Sequence, residues 1–227
     1  MTGSPTWTVL DILRWTTGYF ASRGIDGPRI DAEVLLAHTL GLTRIDLYVR
    51  YDQPLKKDEL AQFRTVVKRR AGGEPVAYIT GLKEFWSLPF HVTPAVLIPR
   101  PETELVVEKA QGALQGMAPG GKKVLDLGTG CGALAISLAA SLPHHRYTAT
   151  DVSHAALQIA VLNARRNDVE HRIAFVCGDW FAPLRLPPAG RRFDLIVSNP
   201  PYIAAGDIDS LQDEISRFEP RKALCGG

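Results

Sequence analysis

Three cysteines in 227 residues, Cys131, Cys177 and Cys225, are odd in number, far apart and without a Cys-x-x-Cys pair. That scarcity excludes a disulfide framework and a cysteine zinc site. The six histidines show no metal-ligand spacing either, so no metal is expected. Charge of one sign is equally scarce. A formal charge of +2 gives no polyanion footprint, and Lys68-Arg69-Arg70, Arg165-Arg166 and Arg191-Arg192 are short clusters that read as solvated faces or loops. Direct nucleic-acid binding is therefore not expected. Long apolar runs are missing too: the longest, Ala133 to Leu142, contains Ser137 and Ser141 and is too short to cross a bilayer. Met1 to Pro5 holds no basic stretch followed by an apolar one, so a cytoplasmic, monomeric protein without a membrane partner is expected. What is present is ordinary for a soluble domain, with 45% hydrophobic and 22% charged residues.

The first part of the chain is helical in pattern. Val9, Ile12, Leu13, Thr16, Tyr19 and Phe20 keep a helical 3-4 spacing, with Thr8 as cap and Gly24 as stop. Ile30, Val34, Leu35 and His38 mark a second helix ending at Gly41. A short turn over Ile45 to Tyr48 follows, then a helix on Leu60, Phe63, Val66, Val67 and Arg70, closed by Gly72-Gly73. This stretch has no glycine-rich loop and no acidic pair, so partner docking is its expected task. Beyond it, Phe85 to Thr93 reads as two extended pieces joined around Pro89, and Pro101 suits the first turn of a helix with Glu102 and Glu104 near its positive end.

The chemistry sits in the remainder. Lys123 to Leu127 reads as a strand, and Gly128-Thr129-Gly130-Cys131-Gly132 as a tight loop into a helix, which brings backbone N–H groups close to a ligand. Asp151 closes the next strand, roughly 20 residues on, where an acid can accept ribose hydroxyls. Asp179 and Trp180 follow the strand Ile173 to Cys177 and could offer an acceptor and a flat wall to an adenine. Phe193 to Val197 is a buried strand by composition, and Ser198-Asn199-Pro200-Pro201-Tyr202 lies at its carboxyl end, where open α/β sheets bind ligands. The prolines donate no hydrogen bonds, so Asn199 and the Pro200 carbonyl form a pair of acceptors for one NH2 group, with Tyr202 as a ring beside it. Read alone, Asn-Pro-Pro is also an ordinary loop.

Gly128, Gly130 and Ala133 equally fit the dinucleotide fingerprint, which by itself is weak. A carboxylate at Asp126 would repel a pyrophosphate but could help hold an amine, and an acceptor pair at Asn199 suits an NH2 substrate rather than a hydride. S-adenosylmethionine, with an amino-acid end and a sulfonium, fits both features.

The stretch Asp126 to Gly132 resembles the cofactor loop of class I S-adenosylmethionine-dependent methyltransferases. Asn199-Pro200-Pro201-Tyr202 resembles the signature of those that methylate a planar nitrogen. With Pro99-Arg100-Pro101-Glu102-Thr103-Glu104 behind a helical amino-terminal domain, the chain resembles the HemK-like glutamine N5-methyltransferases of peptide chain release factors. The resemblance implies S-adenosylmethionine held by Asp126, Gly128, Thr129, Gly130, Cys131, Gly132, Asp151, Asp179, Trp180 and Asn199. It implies catalysis by Asn199, Pro200 and Tyr202, and substrate contacts from these residues, Pro201 and Arg100. The substrate would be the glutamine of a release factor Gly-Gly-Gln loop.

The expected fold is α/β, a doubly wound, mainly parallel Rossmann-like sheet with helices on both faces and a helical bundle in front. The expected division is a docking domain over 1–82, an extended linker or hairpin over 83–104, and a methyltransferase domain over 105–227. A sheet of this family is expected to hold about three more strands after that of Asn199, so the chain is expected to be carboxyl-terminally incomplete. Four other readings stay open at this level: a glutamine methyltransferase of a ribosomal protein, an N6-adenine nucleic-acid methyltransferase, a nicotinamide-dependent oxidoreductase, and a release-factor or ribosome-binding module without catalysis.

Overall fold

The computed structural model describes residues 7–184 and 193–227, so the Arg191-Arg192 pair and the Met1 to Pro5 segment lie outside it. The chain divides into two compact units, Met1–Thr80 and Gly81–Gly227.

The first unit is helical: α1 (Val9–Ser22), α2 (Pro28–Leu40), α3 (Arg44–Val49), α4 (Lys57–Ala71) and α5 (Val76–Thr80). Thr8 caps α1 through a reciprocal pair with Asp11, and Gly41 ends α2 in the left-handed region at φ 64°. The expected turn over Ile45 to Tyr48 is the helix α3, capped in the same way by Thr43 and Asp46. The core gathers Val9, Phe20, Leu35, Leu36, Leu47 and Phe63.

Two charged residues are buried in this core, Glu33 where the apolar pattern places no charge and Arg70 on the expected stripe of α4. In α2 the buried face carries Ala32, Glu33, Leu35, Leu36 and Ala37, whereas Ile30 and His38 point to solvent. The expected face is thus rotated around a buried carboxylate. Burial alone would raise the Glu33 pKa, but hydrogen bonds from Tyr48, Arg44 and Arg29 hold it down at about 2. Arg70, read from sequence as part of a solvated cluster, is buried instead, and its guanidinium pairs with Asp31 at 2.6 Å. A charge can be buried this way only when its partners replace the water it gives up.

The second unit opens with an antiparallel hairpin, β1 (Leu82–Phe85) and β2 (Leu88–His91). Its turn is Trp86-Ser87, not Pro89, which lies inside β2 opposite Glu84. Both turn residues adopt positive φ, 54° and 56°, a conformation that tight hairpins need and that neither residue type advertises. The Trp86 N–H is fixed by the Glu104 carboxylate at 2.9 Å. After a short 3-10 turn at Pro101–Thr103 come α6 (Glu104–Gln115), β3 (Lys123–Leu127), α7 (Ala133–Ser141), β4 (Arg146–Asp151), α8 (His154–Arg166), β5 (Ile173–Cys177), β6 (Leu195–Ser198), α9 (Asp213–Phe218) and α10 (Arg221–Leu224).

The four strands β3 to β6 form a parallel sheet in the order β5-β4-β3-β6. The chain moves outward from β3 through β4 to β5, then returns to the other side of β3. The direction of winding therefore reverses between β3 and β6, and a crevice opens at their carboxyl ends. Leu127 stands opposite Ser198, so the loops that follow these two strands start side by side. Ser198 ties them through its hydroxyl, which donates to the Leu127 carbonyl at 2.7 Å. Among the described residues no helix is long and apolar enough to cross a membrane.

Asn163, fully buried in α8, joins the hairpin to the glycine loop. Its Oδ1 accepts from the His91 N–H at 2.6 Å, while its Nδ2 donates to the carbonyls of His91 and Cys131 at 3.0 and 2.9 Å. Replacing it takes the partner from three backbone groups, the part-buried N–H and carbonyl of His91 and the buried carbonyl of Cys131. Asn163→Ala should cost about 2–4 kcal/mol in urea-induced unfolding, and a loss below about 1 kcal/mol would show that water replaces the side chain at no cost.

Candidate active site

Glycine-loop geometry follows from its hydrogen bonds. The Thr129 N–H donates to the Thr150 carbonyl at 2.9 Å, and the Gly130 N–H to Asp151 Oδ2 at 2.8 Å, so the loop leans on the end of β4. Gly128 and Gly130 have φ of 71° and 56°, and a Cβ built on either meets no atom within 4 Å. Their backbone faces open space. Gly132 is different: its Cβ would lie 2.6 Å from Ile136 and 3.3 Å from Ala160. It lies outside the cavity lining and serves close packing of α7 and α8, which corrects its expected place in a ligand cradle.

That open space belongs to a cavity of about 600 Å³ at the β3/β6 crevice. Along one wall it meets Asp126, Gly128, Thr129, Gly130 and Cys131; along another, Asp151, Asp179 and Trp180. Asn199, Pro200, Pro201 and Thr103 complete it. Of the residues singled out in the sequence, these come together, and Gly132, Tyr202 and Arg100 do not. Tyr202 is 81% exposed and faces solvent rather than the cavity, because the two prolines carry the chain past the crevice before the ring is reached. Arg100 lies outside the cavity lining, and its guanidinium pairs with Glu219, a buried carboxylate whose pKa burial raises and the arginine lowers.

Asp126 is almost wholly enclosed. Its Oδ2 accepts from the Thr129 hydroxyl at 2.6 Å and from the Ala135 N–H at 3.2 Å, which fixes the loop to the start of α7. Its Oδ1 is buried with no partner. Burial, only partly offset by those two hydrogen bonds and assisted by the charge of Asp151, pushes its pKa up to about 6. Burial likewise pushes the Cys131 thiol up to about 12, so this cysteine is no nucleophile at neutral pH. Asp151 accepts from Gly130 with one oxygen and from the Ser153 N–H, at 2.8 Å, with the other, and each oxygen keeps a second lone pair for a ligand. Trp180, at φ 43° and about half exposed, presents its indole at the mouth.

Asn199 is half-buried, and its Nδ2 donates to the Thr103 hydroxyl at 3.3 Å. Its oxygen receives no hydrogen bond among the described residues. Thr103 and Asn163 were missed as positioning residues in the sequence. Thr103 stood within the quoted Pro-Arg-Pro-Glu-Thr-Glu stretch, and Asn163 was visible only as one polar residue between Leu162 and Ala164 on a helix with a buried side.

The raised pKa of Asp126 has a defined sign. The folded chain holds this proton up to about pH 6, against 3.8 for an ordinary aspartate, so its contribution to stability is complete below pH 3.8 and is lost as the pH rises through 6. In a carbon-detected NMR titration the Asp126 carboxyl should turn over near pH 6. A midpoint near 3.8 would mean that water reaches it freely.

Comparison with known proteins agrees with this architecture. Residues 11–81 match the family model described as PrmC N-terminal domain, and residues 103–217 match the methyltransferase small domain. The release factor glutamine methyltransferase of Geobacter sulfurreducens is 46% identical over 221 residues, covering 97% of this chain and 74% of the relative. That of Chlorobaculum tepidum is 45% identical over 221 residues, covering 96% and 75%. A crystal structure of an S-adenosylmethionine-dependent methyltransferase from Geobacter sulfurreducens, in complex with S-adenosyl-L-homocysteine, is 30% identical over 35% of this chain and 30% of that one, with a TM-score of 0.29. From the two matched domains and the extent of shared sequence, the chain belongs to the release factor glutamine methyltransferase family.

Proposed function

We propose that this chain transfers the methyl group of S-adenosylmethionine to the side-chain amide nitrogen of the glutamine in the Gly-Gly-Gln loop of peptide chain release factors. The relatives' name supports the reaction and the substrate. The observation that carries the residue-level reading is the meeting, in one cavity, of a glycine loop open to space and an asparagine whose oxygen receives no hydrogen bond among the described residues.

The lining fits such a cofactor. A Cβ at Gly128 or Gly130 would occupy the space a ligand needs, and the orphaned Oδ1 of Asp126 lies beneath the loop as an acceptor suited to an amine. Asp151 would take the ribose hydroxyls. Asp179 and the flat indole of Trp180 would take the adenine. When bound, the cofactor supplies an electrophilic methyl group on a sulfonium.

The protein's part follows from the amide. Its nitrogen lone pair is delocalised and nucleophilic only weakly, and no side chain can remove its proton beforehand. Positioning therefore has to lower the barrier. Asn199 Oδ1 and the Pro200 carbonyl accept the two N–H hydrogens and so fix the plane of the amide and aim the nitrogen along the line of transfer. The same two dipoles stabilise the positive charge that grows on the nitrogen. Orientation of this kind is worth up to about 7–11 kcal/mol. The proton leaves to water once the new bond has formed. The near-neutral net charge of +2 supports a protein rather than a polyanion as the partner.

Mass spectrometry of a release factor incubated with the chain and labelled S-adenosylmethionine should place one added methyl on the Gly-Gly-Gln glutamine. Asn199→Ala should slow that transfer at least ~100-fold in a single turnover while cofactor affinity changes less than about threefold. An undiminished rate in the variant would remove Asn199 from the mechanism.

A further inference from the structure

The acceptor pair stands on a stretch of chain that bends very little. Both proline rings lock φ at about −65°, so Pro200 and Pro201 move almost as one stiff piece, and the direction of the Pro200 carbonyl depends on where that piece is held. On its amino side it is held by the sheet, through the Ser198 hydroxyl on the Leu127 carbonyl. Its carboxyl side lies past the end of β6 and needs a support of its own.

We infer that the stretch Glu219 to Gly227 is that support, and that Gly226 is the positioning residue at its point of closest approach. The inference rests on the reaction proposed above. A Cβ built on Gly226 would lie 2.7 Å from the Pro201 carbonyl oxygen, 3.2 Å from the Pro201 carbonyl carbon and 3.0 Å from the Tyr202 Cα. All three are backbone atoms, so no side chain can swing aside to make room. Gly226 does not have a positive φ, unlike Gly227. Its backbone is therefore one that other residues adopt, and only the lack of space demands glycine.

Hydrogen bonds hold the two segments at this distance. The Ile203 N–H donates to the Leu224 carbonyl at 3.0 Å, and the Gly226 N–H donates to the Ile203 carbonyl at 2.9 Å, which pairs Ile203 with Cys225 in an isolated parallel bridge. The supporting stretch is itself anchored. Leu224 is buried, the Cys225 N–H donates to the Arg221 carbonyl at 2.9 Å, and the buried Glu219 carboxylate pairs with Arg100. Pro220, Ala223, Cys225 and Gly226 line the same cavity as Asn199 and Pro200, so one segment serves both as cavity wall and as brace. A displacement at Pro201 passes through the locked prolines to the Pro200 carbonyl and to Asn199. Gly128, Gly130 and Asp151 follow β3 and β4 and lie outside this contact.

Gly226→Ala and Gly226→Val test the inference in the full chain. Gly206→Ala is the control: Gly206 lies in the loop that follows Asn199, has no positive φ, and a Cβ added there meets no atom within 4 Å. With a release factor and saturating S-adenosylmethionine, Gly226→Ala should lower kcat roughly 10-fold and Gly226→Val roughly 100-fold, the scale of loss when reacting groups are misplaced by up to about an ångström. Cofactor affinity by calorimetry and the KM for the release factor should each stay within about threefold, and Gly206→Ala should match the wild type throughout. A glycine that served packing alone would lower the midpoint of urea unfolding and leave the kcat of the folded protein unchanged. Should the valine variant not fold, the alanine variant decides alone. A folded Gly226 variant as fast as the wild type, or one whose loss of rate is matched by an equal loss of cofactor affinity, would overturn the inference. A wild-type chain that binds cofactor yet transfers no methyl would instead overturn the reaction on which it rests.

Discussion

Parallel pairing of β3 with β6 is the constraint from which the site follows. With Asp126 opposite Val197 and Leu127 opposite Ser198, two loops of unrelated sequence are brought out of the sheet at the same height. One is forced by its glycines to turn sharply, and the other is forced by its prolines to run extended. Neither loop has a partner for all of its polar groups within itself. The crevice between them therefore sets the polar groups of both loops in a largely apolar lining and is open to a ligand at the point where the winding of the sheet reverses.

Around this crevice the protein uses buried polar side chains as fasteners. Asp126 holds the glycine loop to α7 and Asp151 holds it to β4, while Asn163 links it to the hairpin and Ser198 closes the gap to β6. Each fastener carries a desolvation penalty, which its hydrogen bonds offset, though for Asp126 with its orphaned Oδ1 only in part. The result is a site whose parts sit on rigid elements. This is what a reaction governed by orientation requires, since its barrier depends on alignment more than on acid or base strength.

The amino-terminal unit shows the same physics put to a structural end. Glu33 and Arg70 are charged residues in the apolar stripes of α2 and α4, Glu33 held ionised by Tyr48, Arg44 and Arg29 and Arg70 paired with Asp31. A pattern of apolar spacing identifies both helices correctly. It misplaces the face of α2, because the spacing rule has no place for a charge that brings its own counter-charges into the core.

From the sequence alone came the alternation of strands and helices, the glycine loop and its acid Asp151, the indole of Trp180, and Asn199 at the tip of a strand, although that strand was expected to be buried and β6 buries only Val197 while Ile196 is about half exposed. All of these are local: short patterns of residue type that fix backbone geometry wherever they occur. The tertiary structure alone decided what depends on partners far away in the chain. It sent Tyr202 outward, set Gly132 to packing α7 against α8, and turned the hairpin at Trp86-Ser87 by means of a carboxylate 18 residues on. It also bound Arg100 to Glu219 and put Thr103 beneath the amide of Asn199, contacts across 119 and 96 residues. A hydrogen bond leaves a trace in sequence when its partners are neighbours along the chain; when the fold itself is what brings them together, the two residues separately look like any arginine and any threonine.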